Sequence, residues 1–299
     1  MRFSNIYEDM ILVELNGGIG NQMFQYAAAK SLALHHKTEL RLDITPGHDK
    51  TMPDELKQRP FDLHYFNLPD LFANNADIKS FIPKTHLEKI SEKAKPNHKR
   101  KIYREPFFHY DNNFYNAGPN VYLKGLWQSE KYFFRFEKQI RNILRFNDDT
   151  IRSFADITNK IKDQNSISIH IRRGDYLAKV SLDVLGLLPL AYYHQAIELI
   201  KSKTQNTVFY FFSDDIDWVK TNLQIPEAIY VSNKTTTSHI EDLYLMSQCR
   251  HNIIANSSFS WWGAWLNSNP DKIVIAPKKW FNNGPKDTQD LIPEGWLKI

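Results

Sequence analysis

The stretch Ser166-Ile167-Ser168-Ile169-His170-Ile171-Arg172-Arg173-Gly174-Asp175 alternates polar and apolar residues, then breaks into two arginines, a glycine and an aspartate. Alternation puts Ile167, Ile169 and Ile171 on one face of a strand and Ser168, His170 and Arg172 on the other. Downstream, 207–212, 229–232, 252–255 and 272–276 are short runs rich in Ile, Val and Phe. Helical segments are predicted between and around them, at 189–203, 215–223, 238–250 and 258–268. In the first, Tyr193, Ile197 and Ile200 recur at i, i+4, i+7 behind Pro189. The third opens with Ser238-His239-Ile240-Glu241, a capping box ahead of Leu243 and Met246. Strand and helix in strict alternation mean a parallel sheet covered on both faces.

Toward the N-terminus the same grammar recurs once. An apolar run at 10–16 ends in Gly17-Gly18-Ile19-Gly20, a helix is predicted over 21–37, and 38–44 alternates as a second strand, which is a βαβ unit. From 45 to 120, Pro46, Pro53, Pro60, Pro69, Pro83, Pro96, Pro106 and Pro119 exclude long helices. The chain therefore reads as α/β: two Rossmann-like domains, 1–150 and 151–299, with parallel sheets facing a cleft.

Composition narrows the class. The chain has 299 residues, 42% apolar and 24% charged, which supports a buried core and excludes disorder. The single cysteine, Cys249, excludes an internal disulfide and a cysteine-built zinc site, and points to a reducing compartment. No apolar run reaches the ~18–20 residues of a membrane span. Residues 1–10 carry Arg2, Glu8 and Asp9 and lack the apolar core of a signal peptide, so a cytoplasmic location is expected. Residues 84–104 hold eight Lys or Arg against Glu88 and Glu92. A solvated face is the plain reading of that run, and attraction to an anionic membrane surface the sharper one. Aromatic residues do not alternate with these charges, so no nucleic-acid site is assigned.

Ligands of open α/β sheets bind beyond the carboxyl ends of the strands. Four segments qualify. Gly20, Asn21 and Gln22 follow the first strand; Arg172, Arg173 and Asp175 follow the 166–171 strand, with His170 just inside it. Ser213 and Asp214 follow 207–212, and Asn256, Ser257, Ser258 and Ser260 follow 252–255. Arg172 and Arg173 repel each other unless an anion or carboxylates neutralise them, and a guanidinium fork suits phosphate. An Arg173–Asp175 salt bridge closing the loop is the purely structural alternative. Asn256–Ser260 supplies hydroxyls, an amide and a helix N-terminus, an anion site beyond what capping needs. Gly17-Gly18-Ile19-Gly20 with Asp43 partly matches a dinucleotide fingerprint, but Met23 stands where the third glycine belongs. Asp215-Ile216-Asp217 has a metal-binding spacing that capping, with Asp214 as N-cap, already explains. Trp261 and Trp265 at i, i+4 read as core.

These segments resemble, in order, the bacterial α-1,2-fucosyltransferases of glycosyltransferase family 11. The likeness is carried by Gly17-Gly18-Ile19-Gly20-Asn21-Gln22-Met23-Phe24-Gln25-Tyr26-Ala27, by His170–Tyr176, by Phe212-Ser213-Asp214-Asp215, and by 241–265. It spans nearly the whole chain, most thinly between 45 and 120. The resemblance implies a GT-B-like, metal-independent enzyme with no cofactor. Such an enzyme moves fucose from GDP-fucose to the 2-hydroxyl of a galactose-terminated glycan, with inversion. It further implies Arg172 on the donor diphosphate, His170 and Asp175 shaping that loop, Ser258 and Ser260 on the phosphates, and Asp242 on guanine or ribose. Glu241 is already engaged by the capping box. Asn21 is expected to position sugar or diphosphate; the sequence does not identify the base, Asp175 and Asp183 standing as candidates beside a late proton loss to a phosphate oxygen or water. The loop 177–190, with Leu185, Leu187 and Leu188, is more apolar than the family pattern, a departure on the acceptor side. Animal relatives have a membrane anchor, and its absence here fits a cytoplasmic bacterial enzyme; peripheral contact with the inner membrane is left open by the basic 84–104 segment.

Overall fold

A computed structural model describes residues 9–48, 59–226 and 228–299. The chain forms two compact units, Met1–Arg145 with Gln289–Leu291, and Phe146–Thr288 with Ile292–Ile299.

The first unit is built on a five-stranded sheet of β1 (Met10–Glu14), β2 (Glu39–Asp43), β3 (Leu71–Phe72), β4 (Ile102–Arg104) and β5 (Val121–Lys124), in the order β3-β2-β1-β5-β4. All its pairings are parallel. The predicted βαβ unit is present: α1 (Ile19–His36) joins β1 to β2, beginning two residues earlier than its pattern indicates because Gly18 serves as N-cap. Thirteen of its eighteen residues are buried, among them Ala27, Ala28 and Ala29, whose small side chains let the helix lie close to the sheet. Among its described residues the proline-punctuated stretch holds short α-helices, α2 (Asn75–Phe81) and α3 (His86–Ala94), before α4 (Glu137–Ile143).

The second unit is built on a six-stranded parallel sheet of β6 (Asn165–Ile171), β7 (Thr207–Ser213), β8 (Ile229–Tyr230), β9 (His251–Ile253), β10 (Val274–Ala276) and β11 (Leu297–Lys298). Its order is β11-β10-β9-β6-β7-β8. Short helices α5 (Asp148–Ser153) and α6 (Ala155–Lys162) precede the sheet, and α7 (Lys179–Val184) follows β6. Each of the four helices expected in this half is present: α8 (Leu190–Lys203), α9 (Ile216–Asn222), α10 (His239–Gln248) and α11 (Ser258–Leu266). Ile167, Ile169 and Ile171 pack with Phe209 and Phe211 under Tyr193, Ile197 and Ile200 of α8 and Ile216 and Val219 of α9. Trp261 and Trp265 are buried with rings stacked 6.3 Å apart, a core pair as expected. The capping box of α10 forms, with Glu241 Oε2 accepting from Ser238 N at 3.2 Å.

Two expectations are corrected. Asp215, not Asp214, is the N-cap of α9, its carboxylate accepting from Trp218 N at 3.3 Å. The loop is not closed by Arg173 and Asp175: the helical turn after β6 brings residues i and i+3 together, so Arg172 pairs with Asp175 at 2.7 Å.

Candidate functional site

In the second unit the chain runs from β6 to β7 and β8 on one side, then returns to β9 on the other. The carboxyl ends of β6 and β9 therefore flank the point where strand order reverses, where open α/β sheets hold ligands. The loop after β6 carries Arg172 and Arg173, and the loop after β9 carries Asn256–Ser260.

Arg172 is held as a rigid fork. One terminal nitrogen lies 2.7 Å from Asp175 Oδ1 and the other 3.1 Å from Asp214 Oδ2. Its Nε is buried without a hydrogen-bond partner. Arg173 reaches the other way: its Nε donates to Asp215 at 3.1 Å and its guanidinium stacks 3.6 Å from the Trp218 ring. Asp214 also accepts from Arg173 N at 2.9 Å. This close approach requires Gly174, since a Cβ there would lie 2.6 Å from Asp214 Oδ2. Two guanidiniums are thus neutralised by three carboxylates, and the neutralisation the sequence demanded is supplied by the protein itself.

His170 is fully buried beside Phe259, ring centres 5.3 Å apart, with Nδ1 unpartnered. Burial, reinforced by Arg172, holds its pKa down at about 3, so the imidazole is neutral and a poor proton acceptor. Phe259 belongs to the first turn of α11, so this contact seats that helix N-terminus against the end of β6. The N-cap Ser257 makes no side-chain capping bond, which leaves the capping of the first-turn N–H groups to something other than its hydroxyl. Ser258 opens the helix. Ser260 faces inward, buried, with its hydroxyl donating to Ser257 O at 3.2 Å. The Asn256 amide donates to Leu185 O, Gly186 O and Trp280 O, fastening the 177–190 loop instead of facing outward. Tyr176, its pKa pushed up to about 12 by burial, donates to Asn256 O at 2.9 Å and ties the two loops together.

A second network lies at the end of β7. Ser213 N donates to Ser232 Oγ, and Ser232 and Thr236 both donate to Asp242 at 2.5 Å. Ser213 Oγ accepts from Asp215 N at 3.0 Å. Burial pushes the Asp242 carboxyl up to about 6 despite these donors. Asp183 accepts from Asn283 Nδ2 at 2.7 Å. The segment around it exposes Leu177, Val180, Leu182 and Val184.

The first unit repeats the logic. Its order reverses between β1 and β5, whose carboxyl ends carry Gly17–Gln22 and Gly125–Gln128. Gly17 turns with φ +73°, the left-handed region that glycine adopts freely. Gly20 is buried in the first turn of α1, and Asn21 Oδ1 accepts from Gln128 Nε2 at 2.8 Å. Gln22 is a brace: buried, it donates to Gly17 O and Pro60 O and accepts from Asp62 N, which engages its whole amide. Asp43 is likewise engaged, accepting from Thr45 N, Thr45 Oγ1 and Tyr122 OH, so the dinucleotide reading has no ribose-binding carboxylate. Sequence reasoning missed Gln128 and Glu105. Glu105 accepts from Leu126 N and Trp127 N, and burial raises its pKa to about 7. The only local signal was a glycine, Gly125, directly after the short strand-like run 121–124.

Among the described residues no three His, Cys, Asp or Glu side chains form a metal-ligand group, and no helix is long and apolar enough to cross a membrane.

The profile of glycosyl transferase family 11 matches residues 3–299. An alpha-1,2-colitosyltransferase of Escherichia coli is 33% identical over 97% of this chain and 99% of its own. The O-antigen biosynthesis glycosyltransferase WbnK of Escherichia coli is 34% identical over 95% and 99%. Galactoside alpha-(1,2)-fucosyltransferase 1 of Plecturocebus brunneus is 24% identical over 60% of this chain and 53% of its own. Among solved structures, the fucosyltransferase NodZ from Bradyrhizobium superposes with a TM-score of 0.52 at 13% identity, covering 86% of this chain and 92% of its own. POFUT1 in complex with GDP-fucose superposes with a TM-score of 0.50 at 12% identity, covering 90% and 98%. At those identities the likeness is one of fold, the GT-B-like pair of Rossmann-like units.

Proposed function

The chain belongs to glycosyl transferase family 11, and from that premise we propose that it transfers L-fucose from GDP-β-L-fucose to the 2-hydroxyl of a terminal β-galactoside, inverting the anomeric centre to give an α-1,2 linkage, in the building of a bacterial surface glycan. The observation that carries the reading is Arg172: a guanidinium clamped by Asp175 and Asp214, with its Nε buried and unpartnered, at the strand-order reversal beside the start of α11.

Breaking the fucose–phosphate bond develops negative charge on the departing diphosphate. Fixed cations and N–H groups aimed at that charge stabilise it without reorganising. In this reading Arg172 provides the cation, and Ser257, Ser258 and the first-turn N–H groups of α11 provide dipolar donors. Arg173 supports the loop through Asp215 and Trp218. The neighbouring carboxylates Asp175 and Asp214 hold the Arg172 fork in place. Metal is not required for this charge balance, and transfer is expected to persist in EDTA. Of the two candidate bases, Asp183 accepts from Asn283 and Asp175 is ion-paired with Arg172, so neither is assigned the acceptor proton over the other. Asn21, set by Gln128, is assigned to the acceptor side.

A second donor is favoured by one observation, the near-full-length identity to an alpha-1,2-colitosyltransferase. Colitose is fucose without its 3-hydroxyl, so the same diphosphate machinery serves both. The test is transfer from GDP-fucose and GDP-colitose, each at equal concentration in EDTA, to lactose, with linkage read by NMR and Arg172→Ala in parallel. An α-1,2-fucosylated product, lost in the variant, supports the proposal. Transfer of colitose alone replaces the donor and keeps the chemistry. Transfer of neither, with no GDP binding by calorimetry, overturns the reading.

A further inference from the structure

We infer that α3 is a docking helix for an anionic lipid bilayer. All nine of its residues lack burial, an unusual condition for a helix in a folded unit. Leu87 is 78% exposed and Ile90 53%, and Ile82, just upstream, is 47% exposed. At about 100° per residue, Leu87, Ile90 and Ala94 fall within roughly 60° of one another and form one apolar stripe.

The opposite face attaches the helix to the protein. Glu92, nearly diametrically across from the stripe, accepts from Lys101 N at 2.6 Å and from Lys95 Nζ at 2.5 Å. Glu88 accepts from Lys84 N at 2.6 Å, and the Thr85 hydroxyl caps the helix through Glu88 N. At the other end Arg100 donates to Lys93 O and Lys95 O, closing the helix C-terminus. Glu92 is thereby engaged on the side away from the stripe, while the exposed Glu88 is tied to the backbone at the helix N-terminus. Among the described residues Lys84, Lys89 and Lys93 carry no ion pair, and all three are exposed. Lys93 borders the stripe on the Ile90 side, with Lys89 next to it.

An apolar stripe with the unpaired Lys93 at its edge, Lys89 further round and Glu92 opposite, on a segment with eight Lys or Arg against two Glu, is complementary to a surface offering acyl chains beneath anionic headgroups. Two large apolar side chains are too few to hold the protein by insertion alone, so charge must contribute and the association must be salt-sensitive. A second protein or a second copy of this chain is the competing occupant, and neither accounts for the strong positive excess of the segment.

The test is co-sedimentation of the full chain with phosphatidylcholine vesicles and with vesicles containing phosphatidylglycerol. Expected is binding to the anionic vesicles only, weakening as salt rises from 50 to 500 mM. Leu87→Glu/Ile90→Glu should abolish it. Lys89→Glu and Lys93→Glu should each lower partitioning about fivefold or more. Circular dichroism should show all variants folded, as expected for exposed positions. Equal binding to both vesicle types, no binding to either, or binding unchanged by Leu87→Glu/Ile90→Glu overturns the inference. So does a dimer in solution that Leu87→Glu dissociates.

Discussion

Arg172 is oriented by one neighbour in its own loop and one in the loop after β7. Asp175 fixes one nitrogen of its fork and Asp214 the other, and Gly174 leaves the room that Asp214 needs. Arg172→Lys retains the charge but cannot satisfy both carboxylates, because an ammonium is a point donor and not a planar fork. Lysine and alanine variants should therefore both lose transfer, turnover from GDP-fucose falling about 10²–10³-fold, read as initial rates at saturating acceptor. A lysine variant within threefold of the parent would show that charge alone suffices. Asp242 makes a prediction in pH. Its folded pKa of about 6 lies above that of an ordinary carboxylate, so the folded state holds the proton more tightly than the unfolded chain. That preference stabilises the fold below pH 4 and is lost as pH rises through 6. It amounts to roughly 2–3 kcal/mol across that window. Asp242→Asn should flatten the fall in urea-unfolding free energy between pH 4 and 6, and an unchanged slope would assign the dependence elsewhere.

At the scale of elements, the turn between β1 and α1 depends on Gly17. An alanine there would sit at φ +73° with its Cβ 2.6 Å from Asn21 Nδ2. Gly17→Ala should cost about 1–2 kcal/mol from backbone strain alone, and more once Asn21 is pushed from Gln128. Chemical denaturation measures the first part, and loss of transfer beyond the loss of stability reveals the second. The second half of the chain was legible because its strands are apolar and its helices periodic; 207–212 and 258–268 need no tertiary context. β4 and β5 were not, because three- and four-residue strands carry too little pattern against surrounding prolines. The loops at 172–175, 213–215 and 256–260 were legible as ligand-facing by position. Which of their atoms face outward was not. Asn256 and Ser260 turn inward because Leu185, Gly186, Trp280 and Ser257 offer carbonyls that no local pattern announces. Gln22 is a brace for the same reason, its partners at Pro60 and Asp62 lying some forty residues away.

At the scale of the molecule, each unit has its own sheet and its own buried residues, and the short segment Gln289–Leu291 rejoins the first unit late in the chain. Asp290 accepts there from Tyr110 N at 3.0 Å and pairs with Lys131. Two such units need not unfold as one. The donor is assigned to the second unit, so GDP should raise the unfolding temperature of that unit directly. Six of the seven tryptophans, all but Trp127, belong to it, which gives its transition an optical signature. At a GDP concentration of one hundred times Kd the added stability is about 2.7 kcal/mol. For a unit of this size that corresponds to roughly 5–10 °C. The tryptophan-detected transition should move by that amount, and Arg172→Ala should reduce the shift at the same GDP concentration. A GDP-induced shift confined to a transition silent in tryptophan fluorescence would place the nucleotide on the first unit and reverse the assignment of donor and acceptor sides.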